Sequence, residues 1–141
     1  MKKSGPIIVI DDDVEDQQIL DEIFRNLNVP NKIIFFTDGG EALNYLSTTE
    51  DQPFLILSDV NMPCVDGFEV RSRIYKNENL KIKYIPYLFF TTSVDKKAVF
   101  NAYDMCVQGF FVKPATMIEM QESLRKIIEY WQECYAPSQF N

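Results

Sequence analysis

Residues 55–67, LILSDVNMPCVDG, join an apolar segment to a turn with an acidic residue between them. The apolar run 54–57 predicts a strand covered on both faces, as in a parallel sheet. Asp59 follows almost at once, and the turn beyond it contains Pro63 and Gly67. Proline fixes one backbone dihedral, and glycine permits conformations that other residues resist. The segment therefore predicts a carboxylate at the end of a buried strand, beside a shaped turn.

Four further apolar runs have the same composition, and none alternates cleanly between polar and apolar residues. They span residues 7–10, 33–36, 87–90 and 110–112. Apolar residues at helical spacing follow each run, most clearly over residues 117–131. Five strand–helix alternations predict an α/β fold: a doubly wound five-stranded parallel sheet of order 2-1-3-4-5 with five helices.

Length and composition limit the classes of function. The 141 residues suit one domain over 1–141, with a core of about 6–132 and a short tail, 133–141, whose aromatic residues could pack on the body. The net charge of -7 argues against binding to nucleic acid or to anionic lipid. The absence of histidine excludes imidazole catalysis and histidine-ligated zinc.

Cysteine usage and hydropathy indicate the compartment. The three cysteines, Cys64, Cys106 and Cys134, are scattered and lack CxxC spacing, which is typical of reduced thiols in a cytosolic protein. No signal peptide and no apolar stretch of membrane-spanning length is evident in the sequence. We therefore expect a cytoplasmic protein.

Polar residues follow four of the five predicted strands. Asp11 and Asp12 follow the first, Asp59 the third, Thr91 the fourth and Lys113 the fifth. Ligands of such sheets bind beyond the carboxyl ends of the strands, where the strand order reverses between the first and third strands. Neighbouring carboxylates repel one another unless a cation or protons intervene, and oxygen ligands favour a hard cation such as Mg²⁺.

Asp13 leaves a structural alternative open. A single aspartate after a strand often caps only the next helix. Glu15 and Asp16 would then be favourably placed in the first helical turn. We expect this capping role for Asp13.

The sequence resembles the response-regulator receiver (CheY-like) family of two-component signalling, from residue 7 to about residue 131. Four segments carry the resemblance, in order and at domain spacing: IVIDDD, LSDVNMPCVDG, PYLFFTT and GFFVKP. The resemblance implies that Asp59 accepts a phosphoryl group. It implies a Mg²⁺ (or Mn²⁺) ion whose ligands are Asp11, which would act through water, Asp12, Asp59 and the backbone carbonyl of Asn61.

The resemblance also assigns the remaining site residues. Lys113 would neutralise a phosphoryl oxygen, Thr91 would be the switch hydroxyl, and Phe110 the switch aromatic residue. The Lys113–Pro114 bond would resemble the family's cis peptide, which aims the lysine inward. Phe110 replaces a frequent tyrosine, and Thr92 is larger than the small residue common in the family. In the family, the positions of Asn61 and Thr92 tune how fast the phosphate hydrolyses, so its lifetime stays open here.

The function implied is phosphorelay signal transduction rather than enzymatic turnover of an external substrate. The expected partners are a sensor histidine kinase or histidine phosphotransfer protein and an unknown downstream protein, with a homodimer also possible. No nucleic acid or membrane partner is expected. Asp59 would only assist its own phosphorylation and dephosphorylation.

Three alternatives remain at this point. A degenerate receiver would bind proteins without being phosphorylated. A metal-dependent phosphatase could use Asp11 as nucleophile and Asp13 as acid/base, although residues 58–63 have no place in that scheme. A flavodoxin would need a Ser/Thr-rich phosphate loop after the first strand, where three aspartates stand instead.

Overall fold

The structure, a computed structural model, describes residues 1–78 and 80–140. Its strands are β1 (Ile7–Ile10), β2 (Ile33–Phe36), β3 (Leu55–Ser58), β4 (Tyr87–Thr91) and β5 (Gly109–Val112). Its longer helices are α1 (Val14–Asn26), α2 (Gly39–Thr48), α3 (Gly67–Tyr75), α4 (Lys96–Asp104) and α5 (Met117–Glu133). A helical turn, Leu80–Lys83, and a 3₁₀ turn, Pro137–Phe140, were not predicted.

The strands form one parallel sheet in the order β2-β1-β3-β4-β5, which confirms the predicted fold. Successive residues of a strand point to opposite faces of the sheet. In β1, Ile8 and Ile10 accordingly pack with α2 and α3, whereas Ile7 and Val9 pack with α1 and α5. Because both faces are covered by helices, the strands are apolar except at the carboxyl ends of β3 and β4, where Ser58 and Thr91 stand. The sheet is parallel, so the carboxyl ends of all five strands lie at one edge.

Each of the five longer helices begins after a side chain that accepts a hydrogen bond from a backbone N–H of the first turn. These N-cap residues are Asp13, Asp38, Asp66, Asp95 and Thr116. The expected capping role of Asp13 is confirmed, since its carboxylate accepts from the backbone N–H groups of Glu15 and Asp16. Such caps satisfy N–H groups that would otherwise lack a partner.

The expected cis Lys113–Pro114 bond is wrong. No peptide bond among the described residues is cis, so this bond is trans. The trans form of an X–Pro bond is favoured by about 0.5–1 kcal/mol. Lys113 nevertheless points inward, because β5 ends directly before it and directs it to the same edge as the other strand ends.

The tail packs on the body through Cys134 and Ala136, and the ring of Tyr135 lies 5.9 Å from the Nζ of Lys3. Ala136 is buried in the same cluster as α1 and α5. Tyr135 and Phe140 are largely exposed and contact each other. Residue 141 lies outside the described residues. Among the residues described, no helix combines the length and the apolar character needed to cross a bilayer.

Arg71 is the largest side chain in the fully buried core, which its position in a helix did not suggest. Its Nε donates to the carbonyl of Met105 at 2.9 Å, and its Nη2 donates to the carbonyl of Cys106 at 2.7 Å. Its guanidinium also lies 5.5 Å from the ring of Tyr75 and 5.7 Å from that of Tyr87. Burial lowers its pKa from the usual value. Arg71 thus connects α3 to the carboxyl end of α4.

Candidate functional site

The main chain holds the first and third strand ends side by side. Ile10 and Ser58 are paired in the register of β1 and β3, so Asp11 and Asp59 leave the sheet at the same level. The Asp59 N–H donates to the Ile10 carbonyl at 2.9 Å, and the Asp11 N–H donates to the Phe36 carbonyl at 2.9 Å. The sheet ladder therefore continues through both aspartates and fixes their backbones.

Asp11, Asp12 and Asp59 are brought together at this edge. Each offers a carboxylate oxygen, and these oxygens all lie within 4.8 Å of one another. Asp11 is buried, Asp59 is half-buried and Asp12 is exposed, so the group opens to solvent on one side. An all-oxygen set of this kind fits a divalent cation that keeps some of its water. The three residues are consistent with divalent cation binding.

Lys113 is the cation that the structure places beside these acids. Its Nζ donates to Asp11 Oδ2 at 2.6 Å and to Asp16 Oδ2 at 2.9 Å, and contacts Asp59 Oδ2 at 3.4 Å. Burial alone would lower the pKa of Lys113, but the hydrogen bonds to Asp11 and Asp16 and the nearby negative charges raise it above its usual value. The ammonium is therefore charged at neutral pH.

Burial and hydrogen bonding also act in opposite directions on the pKa of Asp11, but here burial has the larger effect. Burial raises the pKa of this carboxyl above its usual value, while the hydrogen bond from Lys113 and that from the Asp13 N–H act in the opposite direction. The side chain of Gln17 donates to the Asp11 carbonyl at 2.6 Å and so fixes the backbone at this position. Neither Gln17 nor Asp16 was singled out as a site residue from the sequence.

Thr91 lies on the other side of Asp59, at the end of β4. The Thr91 hydroxyl is fully buried and donates to Asp59 Oδ1 at 2.6 Å. The same carboxylate oxygen accepts from the Val60 N–H at 2.7 Å. The Ser93 N–H donates to Thr91 Oγ1 at 3.1 Å, so the hydroxyl proton is directed toward Asp59. Oδ1 is thus held by two donors, whereas Oδ2 faces Lys113.

Asn61 lies at the exposed rim of the site. Its side-chain amide donates to the hydroxyl of Ser93, which links the loop after β3 to the loop after β4. Ser93 was not anticipated, because nothing in the sequence indicates a contact between two loops. Thr92 is exposed beside it.

The turn after β3 is shaped by Cys64 and by Gly67, for different reasons. The Val65 N–H donates to the Pro63 carbonyl at 2.8 Å around Cys64, whose φ is 67°, and this gives a tight, strained turn. Gly67 has no positive φ, so its expected conformational role is wrong. A Cβ at this position would lie 2.1 Å from the Asp59 carbonyl oxygen. Glycine is required because α3 approaches the site residue closely.

Phe110 and Pro114 lie on β5 and just beyond it. The Phe110 ring is half-buried and lies 5.8 Å from the ring of Phe89. Phe89 contacts Phe68 of α3 as well, so Phe110 borders an aromatic cluster formed by side chains of β4 and α3. Pro114 is half-buried next to Lys113.

Comparison with known proteins identifies the family of the chain and agrees with its fold. The family model described as response regulator receiver domain matches residues 7–125. The chain is 30% identical, over 129 residues, to the probable methanogenesis regulatory protein FilR2 of Methanothrix harundinacea. That match covers 89% of this chain and 82% of the relative.

Solved structures of the same type are similar over almost the full chain. The phosphorylated cyanobacterial phytochrome response regulator RcpA is 29% identical, with a TM-score of 0.85, over 94% of this chain and 98% of that one. The Mn(2+)-bound form of response regulator Rcp1 is 26% identical, with a TM-score of 0.82, over 94% and 99%. Because the family model matches most of the chain and the overall shape agrees with these structures, the chain belongs to the response regulator receiver domain family of two-component signal transduction.

Proposed function

We propose that the protein accepts a phosphoryl group on Asp59 from a sensor histidine kinase or a histidine phosphotransfer protein, and that the modified protein presents a changed surface to a downstream protein. The observation that carries the proposal is the environment of the Asp59 carboxylate. One oxygen is oriented by Thr91 and the Val60 N–H, and the other faces Lys113. Membership in the receiver family supports phosphorelay over the flavodoxin and phosphatase alternatives.

In the transfer step, the Asp59 carboxylate attacks the phosphorus of a phosphohistidine on the partner. A new P–O bond forms while the P–N bond breaks, and the imidazole leaves with the bonding electron pair and takes up a proton. A carboxylate is ionised at neutral pH, so it needs no general base, and the lack of histidine in this chain is no obstacle. Lys113 would neutralise one phosphoryl oxygen.

Asp11, Asp12, Asp59 and the Asn61 carbonyl would hold Mg²⁺ or Mn²⁺. The fit rests on three carboxylate oxygens close together at a half-open edge, where their mutual repulsion favours a cation. When bound, the ion would shield the negative charge on the transferring phosphoryl oxygens. Asp59 would then assist its own phosphorylation and dephosphorylation, without turnover of an external substrate.

The signal would pass from Thr91 to the surface formed by α4, β5 and α5. A phosphoryl group on Asp59 offers new acceptor oxygens to the Thr91 hydroxyl, which now donates to Asp59 itself. An inward movement of Thr91 would open space into which the half-buried Phe110 ring could turn. The modification would thereby bias the equilibrium between two conformations of this surface.

The test is the intact mass of the protein after incubation with acetyl phosphate and Mg²⁺. We expect the wild type to gain the mass of a single phosphoryl group and Asp59→Asn to gain none. A wild type that stays unmodified at saturating donor and Mg²⁺, and that also fails to take up a beryllium fluoride mimic, would overturn the proposal in favour of a degenerate receiver.

A further inference from the structure

Lys113 is held by an acid that does not belong to the group of three carboxylates. An ammonium has three N–H donors, and here they point to Asp11, Asp16 and Asp59. Asp11 and Asp59 belong to the candidate cation site, and Asp16 does not. The contact to Asp16, at 2.9 Å, is shorter than the contact to Asp59, at 3.4 Å.

The position of Asp16 is fixed by the start of α1. The Asp16 N–H is one of two donors to the Asp13 cap, which sets the direction of the first helical turn. A carboxylate in that turn is also stabilised by the helix dipole. The Asp16 side chain is 32% exposed, compared with 3% for Asp11, so it reaches Lys113 from the solvent side of the site.

We propose that Asp16 is a positioning residue that holds the Lys113 ammonium in place for phosphoryl transfer to Asp59. The inference rests on the proposed function. During transfer, Asp59 itself becomes modified, and the negative charge of Asp11 would also be drawn toward a cation at the site. Modification of Asp59 and binding of a cation beside Asp11 would each weaken the interaction of these acids with the Lys113 ammonium. The four-carbon stem of Lys113 is flexible, so the ammonium could then move. Asp16 supplies a contact that neither event alters.

The competing explanation is that Asp16 only stabilises the first turn of α1. Glu15 provides the matched control, since it is the neighbouring acid in the same turn. Its backbone N–H also donates to Asp13, and its side chain is exposed. Removing either charge lowers the negative potential of the turn, but among the described residues only Asp16 of these two contacts Lys113.

The experiment measures the initial rate of phosphoryl uptake from acetyl phosphate at saturating Mg²⁺, by intact mass over time. We expect Asp16→Asn to slow uptake about fivefold or more, and Glu15→Gln to change it by less than about twofold. Asp16→Glu keeps the carboxylate and should restore the rate to within about threefold of wild type. Thermal unfolding of each variant verifies that the rates refer to folded protein.

A double-mutant cycle with Lys113→Ala separates positioning from a structural role. If Asp16 acts through Lys113, Asp16→Asn should change the residual rate by less than about twofold in the Lys113→Ala background. A wild-type rate for Asp16→Asn, or an equal loss in both backgrounds, overturns the inference while leaving the proposed function standing. A wild type that takes up no phosphoryl group overturns both.

Discussion

The Thr91 hydroxyl of β4 donates a 2.6 Å hydrogen bond to Oδ1 of Asp59, which follows the neighbouring strand β3. The hydroxyl is fully buried, and its own oxygen accepts from the Ser93 N–H at the start of the loop that leads into α4. The Thr91 side chain therefore connects the Asp59 carboxylate to the loop before α4.

Thr91→Ala should leave phosphoryl uptake largely intact but uncouple it from α4. The variant keeps Asp59, Lys113 and the carboxylates, and loses only the hydroxyl that links Asp59 to the Ser93 backbone. Amide hydrogen exchange across α4, with and without acetyl phosphate and Mg²⁺, should respond to the donor in wild type and not in Thr91→Ala. Thr92→Ala, at the exposed neighbour, is the control and should respond like wild type. An undiminished response in Thr91→Ala would contradict the prediction.

Divalent cations should raise the thermal stability of the protein. An ion that binds only the folded state stabilises it by about 2.7 kcal/mol when present at 100 times its dissociation constant. Mg²⁺ or Mn²⁺ should therefore increase the unfolding midpoint, and a chelator should reverse the increase. Asp12→Asn should abolish most of the increase, because Asp12 is one of the three clustered carboxylates. Glu15→Gln serves as the charge-matched control, and an equal loss in both variants would argue against a localised ion.

Gly67→Ala should be strongly destabilising. The added Cβ would lie 2.1 Å from the Asp59 carbonyl oxygen and 2.7 Å from the Phe89 ring. The backbone at the acceptor would have to shift, at a cost of about 2–4 kcal/mol in the free energy of unfolding. Gly40→Ala is the control, because there the nearest atom to the new Cβ is a side-chain oxygen of Asp38 at 3.4 Å. Urea unfolding should give a much lower free energy of unfolding for Gly67→Ala than for Gly40→Ala. Similar free energies for the two variants would count against the close approach at Gly67.

Tyr87→Phe should lower the free energy of unfolding at neutral pH. It should also make the free energy of unfolding fall less steeply with pH in the alkaline range. The buried hydroxyl donates to the Gly67 carbonyl at 3.1 Å, and its removal should cost about 1–2 kcal/mol. Burial raises the pKa of Tyr87 above the ordinary value of 10.0. Above pH 10.0 the unfolded chain loses this proton while the folded chain keeps it, so the wild type becomes less stable as pH rises.

The check is urea unfolding of wild type and Tyr87→Phe at neutral pH and at several values above pH 10.0. The difference in unfolding free energy should narrow as pH rises, because the variant has no phenol to titrate. Lys113, whose raised pKa also favours the folded state until it deprotonates, should contribute equally to both proteins. A constant difference across the alkaline range would contradict the prediction.

Arg71→Ala should cost about 2–4 kcal/mol, because it removes a fully buried side chain and the hydrogen bonds that this side chain donates to the carbonyls of Met105 and Cys106 at the end of α4. Arg73→Ala is the matched control in the same helix. Arg73 is exposed and paired with Glu69, so its loss should change stability by less than about 0.5 kcal/mol. The free energies of unfolding are measured by chemical denaturation. An equal decrease in Arg71→Ala and Arg73→Ala would show that Arg71 does not anchor α4.

The fold was predictable because strands that are covered by helices on both faces of a sheet appear in the sequence as short runs of apolar residues. A run such as 54–57 has no polar residue, and each run is followed by polar residues at the same edge. The first two observed strands coincide with the predicted runs, and the other three differ from them by one residue at one or both ends, where pairing decides. For example, β3 includes Ser58 because it pairs with Ile10. The alternation of strands and helices predicted a doubly wound parallel sheet, and the order 2-1-3-4-5 was taken from a common arrangement of such sheets.

The contacts that were not predicted depend on packing between distant segments. Asp16 is an ordinary first-turn acid until β5 brings Lys113 beside it. Gly67 was expected for its conformational range, yet its role is to leave space for the Asp59 backbone, which only the packing of α3 reveals. Arg71 in a short helix is normally a surface residue, and its burial depends on carbonyls about 34 positions later in the chain.

The two hydrogen bonds from Arg71 attach the carboxyl end of α4 to α3. The buried guanidinium anchors the carboxyl end, whereas the amino end follows the loop in which the Ser93 N–H donates to Thr91. We therefore expect a structural change that begins at Asp59 to displace α4 most at its amino end, beside Asp95, and least at Met105.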